Sequence, residues 1–122
     1  MSERQQKFEC WLEEQITACR QRGRLLAEDD RTDEANFEKI RANVYDIFKT
    51  ILSVAGRVCG EDERARKAFF VQRAGQIPAS WEASYKKAEQ NGDAAKMHIE
   101  TIKLDTIREI REMCVQIWGD AE

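Results

Sequence analysis

Residues 34–59, EANFEKIRANVYDIFKTILSVAGRVC, decide the fold of this chain. Their apolar side chains recur at alternating steps of three and four residues, at Phe37, Ile40, Val44, Ile47, Ile51, Val54 and Val58. This spacing gathers them into one stripe along an α-helix, which is widened on one side by Phe48, Leu52, Ala55 and Cys59. Because such a helix needs neighbours to cover its stripe, the stretch predicts the central helix of an all-α bundle, with Ile47 and Ile51 in its core.

The same helical period continues on both sides of this stretch. Apolar stripes predict two more long helices at about residues 3–28 and 94–118, and a short helical pair at about 62–74 and 78–90. With one proline and six glycines in 122 residues, the chain has few turn residues, as long helices require. We therefore predict one helical-bundle domain over residues 1–122, built from three long helices and the inserted pair.

Four residues at or near the ends of the predicted helices have backbone preferences that suggest where helices begin and end. Gly60 suits the position after a helix, because glycine adopts a positive φ without strain. Pro78 suits the first turn of a helix, where no N–H donor is needed, and Asp93 is a favourable N-cap. Gly75 is predicted to end the third helix, so that residues 75–78 form a compact turn.

The charge distribution disfavours binding to polyanions or membranes. Formal net charge is -3, and the acidic and basic side chains are nearly balanced in both halves of the sequence. No global basic field is therefore available to attract phosphate backbones or anionic lipids. The polar N-terminus lacks the apolar core of a signal peptide, and no stretch approaches the length of a membrane span. We therefore expect a cytoplasmic protein without membrane association.

No motif in the sequence carries recognisable chemistry or identifies a family. Cys10, Cys19, Cys59 and Cys114 lack Cys-x-x-Cys spacing and fall within helical patterns, so we predict four free thiols. The single histidine, His98, belongs to no Glu-x-x-His pair, and the inner stripes carry no Asp or Glu that could hold a metal. The scattered glycines form no phosphate-binding loop. The sequence thus predicts no catalytic residue, no cofactor and no metal, and it favours a role other than catalysis.

Surplus apolar surface favours a protein-interaction or oligomeric structural module. The helix at 94–118 carries two adjoining apolar stripes, and three long helices can cover one broad stripe each, so apolar surface is left over unless the short helix at 78–90 folds over it. Large apolar patches usually mark interfaces, and symmetric dimers are the commonest assembly. We predict a homodimer or a protein partner, contacted through the helix at 3–28 or the helix at 94–118. The candidate interaction residues are Trp11, Leu25, Trp81, Tyr85, Leu104 and Trp118.

Two alternatives stay open from the sequence. Residues 62–90 describe two short helices joined by a three-residue turn, as in a helix-turn-helix nucleic-acid binder. Its candidate nucleic-acid contacts are Arg64, Arg66, Lys67, Arg73, Lys86 and Lys87. Glu82 lies near the start of the presumed recognition helix, where bases are read, so nucleic acid is not the expected partner. The second alternative is an enzyme or a small-ligand binder without a recognisable motif.

Overall fold

The computed structural model describes residues 3–119, which form five α-helices and their short connections. The helices are α1 (Glu3–Glu28), α2 (Thr32–Cys59), α3 (Glu63–Gln76), α4 (Pro78–Gln90) and α5 (Ala94–Trp118). The all-α prediction is confirmed, since residues 3–119 contain no strand. The domain predicted over 1–122 extends past this range, because residues 1–2 and 120–122 lie outside the described part. None of the five helices combines the length and the apolar content that crossing a membrane requires.

Contacts between side chains show how α1, α2 and α5 run relative to one another. The side-chain amide of Gln5 donates to the carbonyl of Leu52, and Arg22 farther along α1 meets Glu38 near the start of α2, so α1 and α2 run antiparallel. α2 and α5 run parallel, because their contacts keep the same order along both helices. The contacts that show this are Phe37 with His98 and then Tyr45 with Glu109.

α3 and α4 form one helix that is kinked at a proline. Ile77 is the only residue between them, and its φ of -58° and ψ of -43° are helical. Pro78 has no N–H to give to the carbonyl of Ala74 one turn earlier, which is how proline kinks a helix. The guanidinium of Arg111 on α5 donates to that carbonyl instead. The fold is therefore an up-down-up-down bundle with a kinked third helix, and the turn predicted at 75–78 is wrong, because α3 continues through Gly75.

The centre of the core is aromatic and joins four helices. Phe8 of α1 lies 5.0 Å from Phe70 of α3 and 5.8 Å from Trp118 of α5, measured between ring centroids. Phe48 of α2 lies 5.9 Å from the same Phe70 ring. The three phenylalanines are fully buried, so each supplies a large share of the apolar area removed from water. This cluster fixes the end of the bundle where α1 begins and α5 ends.

The buried face of α2 differs from the predicted one. Ile47 is 40% exposed and Ile51 is only half-buried, whereas Phe48, Leu52 and Ala55 are fully buried. The prediction that Ile47 lies in the core is therefore wrong. The physical reason is that α2 is apolar over two adjoining sides, and the spacing of its own residues does not say which side its neighbours cover.

Three of the four residues predicted to begin or end helices have the expected geometry. Gly60 follows α2 with a φ of 61°, a conformation that costs a side-chain-bearing residue more than glycine. Pro78 is in the first turn of α4. The Asp93 carboxylate accepts a hydrogen bond of 3.1 Å from the backbone N–H of Lys96, which confirms Asp93 as the N-cap of α5.

Candidate functional site

An open groove of about 340 Å³ lies between α3 and the last two turns of α5. Phe70 and Ala74 of α3 and Cys114 of α5 form its floor, and all three are buried. Gly75 and Gly119, which carry no side chain, line the two opposite ends of the groove. Concave surfaces with an apolar lining are the usual sites where proteins bind other molecules.

Two half-exposed valines stand on opposite walls of this groove. Val71 on α3 is 48% exposed, and Val115 on α5 is 45% exposed. Among the described residues, three more large apolar side chains are comparably exposed, namely Leu25, Ile47 and Val58. Single exposed apolar residues are ordinary, but two that face one concave apolar floor make a contiguous patch.

A second depression of about 220 Å³ continues this patch around α3. It is lined by Arg4 of α1, by Arg64 and Ala68 of α3 and by Trp118 of α5. Lys67 and Val71 border both depressions, so the two form one continuous surface. We call this surface, from Arg64 to Gly75 on α3 and from Arg111 to Gly119 on α5 with Arg4 at its edge, the docking surface.

Hydrogen bonds across the docking surface hold its walls in place. The indole N–H of Trp118 donates to Glu63 Oε2 at 2.7 Å, which ties the end of α5 to the start of α3. Arg111 donates to the Ala74 carbonyl at the other end of α3, as described above. With both ends tied and Phe70 buried between them, the surface has its shape before any partner arrives.

The thiol on the floor of the docking surface is chemically quiet. Burial raises the pKa of Cys114 to about 11, and the nearby positive charge of Lys67 offsets only part of that effect. The thiol therefore stays protonated at neutral pH, whereas nucleophilic attack and metal binding both need the thiolate. Cys114 contributes apolar lining rather than reactivity.

The six predicted interaction residues do not share one surface. Trp118 lines the docking surface, whereas Trp11 packs edge-on against Tyr45 at 5.8 Å and is half-buried. Leu25 is exposed near the end of α1. The other three are half-buried on α4 and α5: Trp81, Tyr85 and Leu104. The sequence thus identified one residue of the docking surface from this set.

The six candidate nucleic-acid contacts are also divided by the structure. Arg64 and Lys67 line the docking surface, and the Arg73 guanidinium lies 3.5 Å from the centre of the Phe69 ring. Arg66 is buried, which corrects its prediction as a phosphate contact. Lys86 and Lys87 are exposed on α4, beyond the kink. Because α3 and α4 form a kinked helix, the three-residue turn on which the helix-turn-helix alternative depended is absent.

Arg66 belongs to a buried network that ties α3 to α1 and α2. Its Nη1 donates to Gln5 Oε1 at 2.7 Å, and its Nε donates to the carbonyl of Gly60. The Gln5 amide in turn donates to the Leu52 carbonyl at 3.1 Å. Gly56 makes this possible, because a Cβ there would lie 2.5 Å from the Gln5 amide nitrogen. We call these groups the glutamine network.

Two glutamates are buried at helix interfaces, although neither belongs to the apolar stripes of the sequence. Glu38 is buried and pairs with Arg41 and, at 3.0 Å, with Arg22 across the α1–α2 contact. Glu100 is only 2% exposed and pairs with Lys103 at 3.2 Å. The three-residue spacing of Glu100 and Lys103 allows them to pair on one helix face, but the burial of Glu100 depends on the other helices. Each buried carboxylate has a basic partner, so an ion pair within the fold explains its burial without any functional role.

A larger groove between α1 and α2 offers less to an apolar ligand. Its volume is about 470 Å³, and Arg20, Arg24 and Lys39 line it together with small residues such as Gly23 and Ala27. No large apolar side chain is among its lining residues within the described chain. Covering it would remove little apolar area from water, so the docking surface is the stronger candidate.

The four cysteines are free in the structure, and residues 3–119 contain no group of three His, Cys, Asp or Glu side chains placed to hold a metal ion. No protein-family model, no curated protein and no solved structure matches this chain.

Proposed function

We propose that this chain is a protein-interaction module that binds an apolar segment of a partner on the docking surface. The observation that carries the proposal is the pairing of two half-exposed valines, Val71 and Val115, over one buried apolar floor. Their exposure leaves apolar area in water that a partner can cover. Such patches on proteins are more often interfaces than accidents of folding.

The energy available from this surface suits a specific but modest interaction. Fully burying a valine side chain from water yields roughly 1.5–3 kcal/mol, and about half of each valine is still exposed. Each valine therefore supplies about 1 kcal/mol on binding, by the same rule. Because hydrogen bonds already fix the walls at Trp118 and Arg111, little of this is lost in ordering the surface.

The location and the partner are part of the proposal. We infer a cytoplasmic location, since four free cysteines suit a reducing compartment. The occupant is a protein, either a second copy of this chain or a different one. A homodimer through α1 or α5 stays a prediction, which light scattering at micromolar concentration tests against the chain mass of 14.2 kDa.

The interaction itself is tested with a display library of helical peptides. Its members carry fixed apolar residues at positions i, i+3, i+4 and i+7 and random residues elsewhere. We expect enrichment of peptides that bind the wild-type chain and lose binding to Val71→Glu, because a carboxylate would then face the apolar floor. The matched control is Val58→Glu, since Val58 is 67% exposed on α2 and does not line the docking surface.

Two results would contradict the proposed function. One is a selection that enriches no peptide. The other is a set of peptides that bind Val71→Glu as well as they bind the wild-type chain. Because Val71 is already half-exposed, we expect Val71→Glu to fold, and circular dichroism of both variants checks this.

A further inference from the structure

The docking surface has the opposite charge to the rest of the chain. Within residues 3–119, four basic residues line its two depressions, Arg4, Arg64, Lys67 and Arg111, against one carboxylate, Glu63. That carboxylate accepts a hydrogen bond from Trp118 and is turned inward to the wall. The surface therefore has a formal excess of positive charge, whereas the whole chain is at -3.

The basic residues lie around the apolar floor, which sets the pattern a partner must match. Arg64 is exposed on α3 and Arg111 is exposed on α5, with Val71 and Val115 between them. A complementary segment has an apolar stripe in its centre and carboxylates on both sides. Opposite charges placed this way speed the encounter and fix the orientation of the partner.

The dimensions of the surface fit a short helix. From Arg64 to Gly75 the wall of α3 is continuous helix, and eleven steps of 1.5 Å give about 17 Å. A partner helix of about three turns covers that length, and its apolar residues at i, i+3, i+4 and i+7 form the required stripe. A helix lying in an apolar groove is a common form of peptide recognition.

A second copy of this chain does not fit the same surface. In a two-fold dimer each patch meets its own image, so Arg64 and Arg111 would lie against a patch that is also positively charged. Like charges brought together at an interface oppose association. We propose that the docking surface binds an acidic amphipathic helix of a different protein, an inference that rests on the proposed function.

The test uses the same display library, in which the positions beside the apolar stripe are random. We expect the enriched peptides to carry Glu and Asp at those positions, and their affinity to fall as salt rises. Arg64→Glu should weaken the best peptide by about fivefold or more, since attraction becomes repulsion at an exposed site. Arg57→Glu changes an arginine that is also exposed but does not line the docking surface, and it should leave that affinity unchanged.

The outcomes separate this inference from the proposed function. Neutral or basic peptides that still need Val71 would overturn the acidic partner and leave the interaction module standing. A concentration-dependent dimer that Val71→Glu abolishes would show that the occupant is a second copy, which also overturns the inference. A selection that enriches nothing would overturn both.

Discussion

The hydrogen bond from Arg111 to the Ala74 carbonyl can be tested by removing the donor. Pro78 leaves that carbonyl without its helical partner, and Ala74 is buried, so water does not replace the guanidinium readily. Arg111→Met keeps the aliphatic part of the side chain and deletes the donor. We expect the free energy of unfolding to fall by about 1.5–3 kcal/mol, the usual value for a hydrogen bond to a charged group.

A double-mutant cycle with Pro78→Ala tests whether the missing N–H of Pro78 is the reason that the Ala74 carbonyl needs Arg111. Alanine restores an N–H that can donate to Ala74, so Arg111→Met should cost about 1–2 kcal/mol less in the Pro78→Ala background than in the wild type. The cost of losing the buried proline ring cancels within the cycle. Urea denaturation followed by circular dichroism measures all four free energies. An equal cost of Arg111→Met in both backgrounds would refute the proposed link between the kink and the arginine.

Three further predictions concern the packing and ionisation of the bundle. Gly56→Ala should lower the free energy of unfolding by about 1–3 kcal/mol, because the new Cβ would displace the glutamine network. Gly23→Ala is the control, since a Cβ there would meet no neighbouring atom closer than 3.6 Å. In urea denaturation this control should be neutral or stabilising by up to about 1 kcal/mol. Leu52→Ala should cost about 2–5 kcal/mol and Ile47→Ala less than about 1.5 kcal/mol, and similar costs in denaturation would show that the α2 register is wrong. Burial, and then a hydrogen bond to a carboxylate, raise the pKa of Tyr45, so the folded state keeps a proton that the unfolded chain loses. Stability from Tyr45 is thus present below about pH 10 and declines above it, and unfolding at several alkaline pH values should show a smaller decline for Tyr45→Phe.

Local chemistry made the helices predictable. Asp93 caps α5 and Pro78 opens α4 because both preferences depend on the backbone within one turn. The same proline also shows the limit of local reasoning. Gly75 and Pro78 together suggested a turn, but a donor from Arg111, distant in the sequence, lets the chain continue as a kinked helix.

Most of the docking surface could not be predicted from the sequence. Trp118, Arg64 and Lys67 were identified as candidates, but for two unrelated functions, and nothing in their spacing placed them together. Val71 and Val115 lie on different helices, and each alone looks like an ordinary apolar residue of a helix. Whether such a residue is covered depends on the tilt and separation of neighbouring helices, which arise from packing of the whole core.

Methyl NMR of the valine side chains tests most directly whether the docking surface is where a partner binds. An acidic helical peptide from the selection is titrated into the folded chain, and chemical-shift changes are followed at each valine. We predict the largest changes at Val71 and Val115, and little change at Val58, which is exposed on α2 and does not line the surface. Changes that are largest at Val58, or uniformly small at saturating peptide, would contradict the docking surface.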